Sequence, residues 1–368
     1  MKQVPFFNYP LLYSSQKERM DEAINSVVNK GAYILQNELI EFEKKLSEYT
    51  GSKYAIGVAN GTDAIWLALF AAEIGNGDEV IVPSHTYIAS PAAIKFVGAT
   101  PILAECGEDH LLDPHDIEKR ISSKTKAIMP VQLNGRTCDM DAIKEIANQN
   151  GLLIIEDSAQ GLGSLYKDRM AGTFGIAGTY SFYPAKVLGC FGDGGAVVTD
   201  SEEIYKKVYE MRDHGRDHSG EHVSWGFNSR LDNLQAAILL EKFKTFNKDI
   251  KLRRDIALLY NEKLKDIDAI VMPPMPGSET DRFDTFQNFE IRCEKRDELR
   301  NYLSENGIGT LIQWGGKAIH QIEGLGFNCR DLPFTESLFK KCILLPMNSL
   351  MNLEDAEYVA NTIKKFFK

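Results

Sequence analysis

Between residues 53 and 157, short runs of branched apolar residues alternate with helix-like stretches, and this alternation constrains the fold more than any other sequence feature. Runs of this length and composition are typical of buried strands. Helical spacing of apolar positions also covers residues 16–29 and 36–49. The pattern predicts an α/β fold in which helices cover both faces of a mainly parallel sheet. The runs are KYAIGVAN, DEVIVPS, ATPILAE, KAIMPVQL and GLLIIED, and they continue in AGTYSFY and GAVVTD.

The pattern changes beyond about residue 245, where long charged helices replace the alternation. Helical spacing covers residues 245–265 and 294–307, with the strand-like segment FQNFEIRC before the second of them, and a further helix closes the chain. We therefore predict two domains: a large α/β domain in residues 1–245 and a smaller α+β domain in residues 246–368.

The charge balance limits the classes of partner. The 368 residues include 42 basic and 52 acidic side chains, for a formal net charge of −10. Such a chain has no general attraction for nucleic acid or anionic lipid, so we expect neither as a partner, and a bound phosphate must be held by local donors. No window approaches about 18 uninterrupted apolar residues and no secretory signal is recognisable, which predicts a cytoplasmic protein without a membrane partner. The six cysteines are widely spaced without a CxxC pair, as is typical of reduced thiols.

Polar residues follow the predicted strands, at the sheet edge where ligands of such folds bind. Asn60, Gly61 and Thr62 lead from the first strand into a helix, whose free N–H groups and partial positive charge suit an anion. An ordinary helix cap by Asn60 or Thr62 is the alternative. Ser181, at the end of a later strand, is either a second phosphate donor or a hydroxyl bonded to the backbone.

Glu156 and Asp157 end an apolar strand, and a buried carboxylate at that point requires a cationic partner. Asp157 suits the nitrogen of a pyridinium ring as well as it suits a helix cap. Lys186 is the one basic residue of the glycine-rich segment 181–200, and its amine would form a Schiff base with an aldehyde cofactor. Tyr87 follows a strand end and is a candidate for stacking on the ring, with plain packing as the alternative. Together these residues predict a site for pyridoxal 5'-phosphate (PLP).

Six longer motifs follow one another along the chain: VANGTDAI, GDEVIVPSHTYIAS, DMDAIKEIANQNGLLIIEDSAQGLGS, GTYSFYPAKVLGCFGDGGAVVT, MRDHGR and GFNSRLDNLQAAIL. With this series the sequence resembles the DegT/DnrJ/StrS group of PLP-dependent nucleotide-sugar aminotransferases over nearly its whole length. The resemblance implies the fold of the type I PLP aminotransferases. It also implies a homodimer in which each active site is built from both subunits.

The resemblance implies a role for each candidate residue. Lys186 corresponds to the Schiff-base lysine, which also carries the proton between the cofactor carbon and the substrate carbon. Asp157 corresponds to the acid at the pyridine nitrogen, Gln160 to the residue near the ring hydroxyl, and Tyr87 to the stacking residue. The phosphate would be held by Gly61, Thr62, Ser181 and, from the partner subunit, Asn228, and the candidate substrate-binding residues are Tyr183 and His320.

The resemblance also implies a reaction. Some relatives have histidine in place of the lysine and use the cofactor for dehydration, so the lysine favours amino transfer from L-glutamate to a ketone of a nucleotide-linked hexose. The sequences NGTDA and PSHTYIAS favour the C-3 ketone of a dTDP-linked 3-keto-6-deoxyhexose, for the amino sugars of surface glycans such as lipopolysaccharide O-antigen. A C-4 aminotransferase acting on a dTDP-, UDP- or GDP-linked 4-keto-6-deoxyhexose is the alternative. A PLP-binding regulator without activity is the alternative of another class.

Two departures from the family pattern bear on the substrate. Ala185 and Val187 flank the lysine where relatives have glycine and often asparagine, and both would line the pocket. The segment IQWGGKAIHQ replaces a YPVH-like segment of relatives. We expect His320 of this segment to face the sugar or its diphosphate, and Trp314 to serve in packing.

Overall fold

The computed structural model describes residues 2–327 and 331–368. The helices are α1 Tyr9–Val28, α2 Asn37–Thr50, α3 Gly61–Ala71, α4 Ala89–Phe96, α5 Pro114–Arg120, α6 Met140–Asn150, α7 Glu202–Arg212, α8 Asn233–Phe243, α9 Phe246–Leu264, α10 Arg296–Glu305, α11 Pro333–Lys341 and α12 Leu353–Phe366. The strands are β1 Tyr54–Val58, β2 Glu79–Pro83, β3 Thr100–Ala104, β4 Thr125–Ile128, β5 Leu153–Asp157, β6 Leu165–Tyr166, β7 Arg169–Met170, β8 Ala177–Ser181, β9 Gly195–Thr199, β10 Ile270–Val271, β11 Arg282–Phe283, β12 Phe289–Cys293 and β13 Cys342–Leu345.

A seven-stranded sheet forms the centre of the predicted large domain, in the order β1-β9-β8-β5-β4-β2-β3. The pairs β8-β5, β5-β4, β4-β2 and β2-β3 are parallel, whereas β9 runs antiparallel to both of its neighbours. The predicted α/β fold with a mainly parallel sheet is therefore confirmed. The carboxyl ends of β1, β2, β5 and β8 meet at one edge of this sheet, and the site lies there.

The predicted helices are found with small shifts, and α1 shows the largest one. This helix begins at Tyr9, whereas apolar spacing predicted a start at residue 16. The Asn8 side chain caps the helix by accepting from the Leu11 N–H, and Pro10 occupies its first turn. The cap and the proline stabilise a first turn that carries few buried side chains, so this turn has no apolar pattern from which it could be predicted.

The described residues form several hydrophobic cores, the largest of them around the parallel strands, and α9 is shared between two of the others. Phe246 and Ile250, near its start, pack with residues from α2, β8 and α8. Ile256 and Tyr260 face the second core, between α9, α12 and the three-stranded sheet β10-β12-β13. The predicted division at residue 245 falls just before this helix. Val4 also belongs to the second core and exchanges two backbone hydrogen bonds with the segment after α10, although it stands at the start of the sequence.

The described cysteines are all unpaired and buried: Cys106, Cys138, Cys190, Cys293 and Cys342. The sixth, Cys329, lies outside the described residues. Among the helices of the described ranges, none combines the length and the apolar character needed to cross a bilayer.

Candidate active site

A cleft of about 700 Å³ at this sheet edge brings together residues that are far apart in the sequence. Gly61 and Thr62 open α3, Tyr87 follows β2, and Asp157 and Ser181 end β5 and β8. The loop between β8 and β9 supplies the lysine. Eight of the ten predicted site residues line this cleft: Gly61, Thr62, Tyr87, Asp157, Gln160, Ser181, Tyr183 and Lys186.

The two adjacent acids at the end of β5 have different environments, because successive side chains of a strand point to opposite faces. Glu156 is fully buried away from the cleft, and its two oxygens accept from the Gln132 amide and from the backbone N–H groups of Gly172, Phe174 and Gly175. Four donors satisfy this carboxylate, so it ties the strand to the following turn. Asp157 faces the cleft, and it is the acid available to a ligand.

Two neighbours bond to the Asp157 carboxylate. The Ser90 hydroxyl donates to its Oδ2 at 2.6 Å, and the Ala159 N–H donates to its Oδ1 at 3.1 Å. Thr86 lies 2.7 Å from the Ser90 hydroxyl and extends the chain of hydrogen bonds. Burial raises the pKa of Asp157, while the hydrogen bonds and the charge of Lys186 lower it. A buried carboxylate in this position is stabilised in its ionised form by a further cation, such as a protonated ring nitrogen.

Lys186 places an amine in the cleft. Partial burial lowers the pKa of this amine from 10.5 to about 8, although the negative charge of Asp157 raises it. A lysine with such a pKa has a substantial neutral fraction near physiological pH, and only the neutral amine attacks a carbonyl. The Lys186 N–H donates to the Tyr183 carbonyl at 2.8 Å, which closes the turn that carries the side chain.

The titration of Lys186 is directly testable. We expect the rate at which an amine reagent such as trinitrobenzenesulfonate labels Lys186, in protein freed of cofactor, to rise as the pH increases through about 8. Lys167 is the comparison, because its hydrogen bond to Asp141 raises its pKa. Peptide mapping of labelled protein over a pH series measures both profiles. A Lys186 profile centred at or above that of Lys167 would contradict this assignment.

The start of α3 forms a place for an anion. Asn60 caps the helix: its side chain accepts from the Asp63 N–H, and its carbonyl accepts from the Ala64 N–H. The N–H groups of Gly61 and Thr62 precede these and belong to the helix end that attracts negative charge. A side chain on Gly61 would bring its Cβ within 2.7 Å of the Ser181 Cβ, so the close approach of helix and strand requires glycine. Ser181 and the helix end together fit a phosphate.

Hydrogen bonds from Asn134 and Asn288 orient the Gln160 side chain. Its Oε1 accepts from the Asn134 N–H at 2.7 Å, with the Asn288 amide 3.4 Å away. A backbone N–H can only donate, so the oxygen must face Asn134, and the Gln160 amide nitrogen is left as a donor. This arrangement fits an acceptor oxygen on a bound ring. Tyr87 and Tyr183 are 56% and 51% exposed, so neither residue is buried in the hydrophobic core.

Two predicted residues lie elsewhere. Asn228 is exposed and does not line the cleft of its own chain, so its assignment to the partner subunit's site stays a prediction. His320 does not line the cleft either. Its ring is buried, with Nδ1 2.7 Å from the Ser84 hydroxyl and Nε2 3.4 Å from Glu336, and its assignment to the sugar stays a prediction. Trp314, expected to serve in packing, does pack against the core and against the Phe339 ring, and it also lines the cleft.

Sequence reasoning missed two residues that support the site. Ser90 bonds to Asp157, and its only sequence signal is its spacing of four from Thr86 across the start of α4. Gln287 bonds to the main chain on both sides of Lys186. No local pattern marks Gln287, since its partners are brought to it from the other domain by the fold.

Comparison with known proteins agrees with this geometry. The family model described as the DegT/DnrJ/EryC1/StrS aminotransferase family matches residues 14–364. A dTDP-3-amino-3,4,6-trideoxy-alpha-D-glucose transaminase of Streptomyces venezuelae is 38% identical over 99% of this chain and 96% of that protein. The GDP-perosamine synthase of Escherichia coli O157:H7 is 36% identical, over 100% of this chain and 99% of its own length.

Solved structures agree as well. The crystal structure of DesV from S. venezuelae, in complex with a ketimine intermediate, superposes with a TM-score of 0.95. It is 38% identical in sequence, and the match covers 100% of this chain and 99% of that one. Together with the match of the family model over nearly the whole chain, this shows that the protein belongs to the DegT/DnrJ/EryC1/StrS aminotransferase family.

Proposed function

We propose that this protein is a PLP-dependent aminotransferase that moves an amino group from L-glutamate to the C-3 ketone of a dTDP-linked 3-keto-6-deoxyhexose. The observation that carries the proposal is the pairing, in one cleft, of a half-buried lysine with a buried aspartate, beside a helix start where the close approach of Ser181 requires glycine. Each of these groups corresponds to one requirement of PLP, and no single one of them is diagnostic alone. The family assignment supports amino transfer to the keto group of a nucleotide sugar.

Each residue of the cleft has its own role in the proposed reaction. Bound PLP supplies an aldehyde for the amino group and a ring that withdraws electrons. With PLP bound, Lys186 would hold its aldehyde carbon and, as a free amine, would carry the proton between the substrate carbon and the cofactor carbon. Asp157 keeps the ring nitrogen positively charged. The N–H groups of Gly61 and Thr62 bind the phosphate.

The remaining side chains of the cleft orient the ligand. The Gln160 amide donates toward the ring oxygen, and Tyr87 covers one face of the ring. Tyr183 and Trp314 stand on the open side of the cleft, where the sugar must enter. We propose that Asn228 of the partner subunit completes the phosphate site in a homodimer, which its exposed position allows.

The choice of C-3 and dTDP rests on the phosphate-loop sequence NGTDA and on the S. venezuelae relative, whose name specifies a 3-amino sugar. The GDP-perosamine synthase is almost as similar in sequence, so overall identity does not choose between the nucleotides. Substrate choice is decided by a few side chains of the cleft. Ala185 and Val187, which depart from the family pattern on either side of Lys186, do not line this cleft.

The test is a panel of substrates. We expect purified protein with glutamate to aminate a dTDP-linked 3-keto-6-deoxyhexose, with a kcat/KM at least about tenfold above that for the 4-keto isomer or for the GDP and UDP forms, because misplacing a reacting carbon costs at least this much. Mass spectrometry and NMR identify the amino sugar and the carbon that bears nitrogen. Higher kcat/KM with a 4-keto sugar would instead establish C-4 amination.

The absorption spectrum tests the other class of function. We expect glutamate to shift the near-ultraviolet and visible absorption of the cofactor-loaded protein, because the donor half of the reaction changes the cofactor. A protein that binds the cofactor, shows no shift with glutamate and aminates none of the sugars would be the regulator of the alternative hypothesis.

A further inference from the structure

The Gln287 side chain is attached to the main chain on both sides of Lys186. Its Oε1 accepts from the Val187 N–H at 2.9 Å, and its Nε2 donates to the Ala185 carbonyl at 2.9 Å. Gln287 itself is only 6% exposed. Gln287 thus accepts one hydrogen bond and donates the other, and together they fix the peptide groups on either side of Lys186.

The other end of this attachment lies in the small domain. Gln287 lies two residues before the start of strand β12, and its own carbonyl accepts from the buried guanidinium of Arg253 at 3.0 Å. The same nitrogen of Arg253 lies 3.2 Å from the carbonyls of Phe286 and Met347, so this arginine of α9 holds three carbonyls of the small domain together. The lysine belongs to the large domain, and the group that holds its backbone is fixed in the small one.

We propose that Gln287 is a positioning residue that aims the Lys186 amine, and that it makes this aim depend on how the small domain is seated. The inference rests on the proposed role of Lys186. A lysine side chain has several rotatable bonds, so an amine that must reach two carbons in turn needs a fixed main-chain origin. A glutamine with both amide atoms bonded supplies this origin at a small cost in side-chain freedom.

The chain contains a matched control in Gln235. Its Oε1 accepts from the Phe191 N–H at 2.9 Å, and its Nε2 donates to the Phe191 carbonyl at 2.9 Å. Gln235 therefore makes the same pair of bonds to the same loop as Gln287 does. It differs in two respects: it lies in α8 of the large domain, and its bonds are made beyond the turn that carries the lysine.

The experiment compares Gln287→Ala with Gln235→Ala in the full-length protein. In protein freed of cofactor, we expect amide hydrogen exchange in residues 184–189 to be at least about tenfold faster in Gln287→Ala and close to the parent in Gln235→Ala, since the bonds of the Gln287 side chain to the Val187 N–H and the Ala185 carbonyl are lost in the first variant only. In the loaded enzyme, we expect kcat to fall about tenfold in Gln287→Ala while the KM for glutamate stays close to the parent value.

A second variant covers the case in which Gln287→Ala does not fold. Gln287→Glu has the same shape and can accept from the Val187 N–H, but an ionised carboxylate cannot donate to the Ala185 carbonyl. We expect Gln287→Glu to keep part of the protection of this turn from hydrogen exchange and to have a lower kcat than the parent. Unchanged exchange in Gln287→Ala, or an equal loss of kcat in both alanine variants, would overturn the proposal. If exchange is faster in Gln287→Ala but the parent protein transfers no amino group, Gln287 still holds the turn and the proposed function is refuted instead.

Discussion

Replacing Lys186 by alanine abolishes amino transfer and leaves the fold intact. The rate falls by at least about 10³-fold, because the substitution removes both the covalent attachment point and the group that moves the proton. Stability is expected to change little, since the turn around residue 186 is held by main-chain bonds and the removed ammonium was desolvated. Turnover of the keto sugar measures the first effect, and thermal unfolding of the protein freed of cofactor measures the second.

Reduction of the loaded parent protein with borohydride tests the position directly, because it attaches the cofactor permanently to the lysine that held it. The comparison residue is Lys242, whose pKa burial also lowers to about 8. Its amine donates to the Gly189 carbonyl and lies 4.5 Å from the centre of the Phe191 ring, with no acid of the site opposite. Reactivity alone would not separate these two lysines, whereas position does. Label on Lys242 and not on Lys186, or turnover by Lys186→Ala, would end the assignment.

Asp157→Asn is expected to keep cofactor binding and to lower kcat by about 10²-fold, since the ring nitrogen loses its negative partner and proton removal from the substrate slows. The same change has a second effect that needs no cofactor. The Asp157 charge raises the pKa of Lys186, so its loss lowers that pKa further, and the pH profile of Lys186 labelling moves to lower pH. Steady-state kinetics and the labelling series measure the two effects separately.

Glu156→Gln is the matched control for Asp157→Asn. The neighbouring acid is buried in the same strand but faces away from the cleft, and all four of its partners are donors. A glutamine would turn its NH₂ toward two of these donors, so the unfolding free energy should fall by roughly 2 kcal/mol while the labelling profile of Lys186 stays in place. An Asp157→Asn protein that matched the parent in both kinetics and labelling would show that the ring partner had been misassigned.

Much of the fold could be predicted because strands and helices leave local patterns in the sequence. The five parallel strands from β1 to β5 are continuous apolar runs, and α2 ends at Gly51, whose φ of 76° is the left-handed conformation that glycine adopts without strain. The antiparallel direction of β9 could not be predicted, because it depends on the length and path of the loop that carries Lys186. The start of α1 was missed since its cap, and not an apolar stripe, defines it.

The site divides in the same way. Asp157, Ser181 and Gly61 stand at strand ends and a helix start, so the topology of the sheet brings them to one edge and their sequence positions are informative. His320 and Trp314 lie in a segment of short helical turns, where Trp314 has a φ of 50° and the direction of each side chain depends on contacts with other parts of the chain. Sequence position therefore did not show that Trp314 lines the cleft as well as packing against the core.

The sharing of α9 by both cores limits how this protein could be recombined with its relatives. A chimaera joined at residue 245 would place the first half of α9 against the α2 and α8 of a different parent, while its second half would keep the α12 of its own parent. Arg253, halfway along it, would then hold Gln287 against a foreign lysine loop. Exchange of substrate preference between family members should therefore succeed through single side chains at the cleft mouth, and transplanting the entire carboxyl-terminal portion should yield poorly matched hybrids.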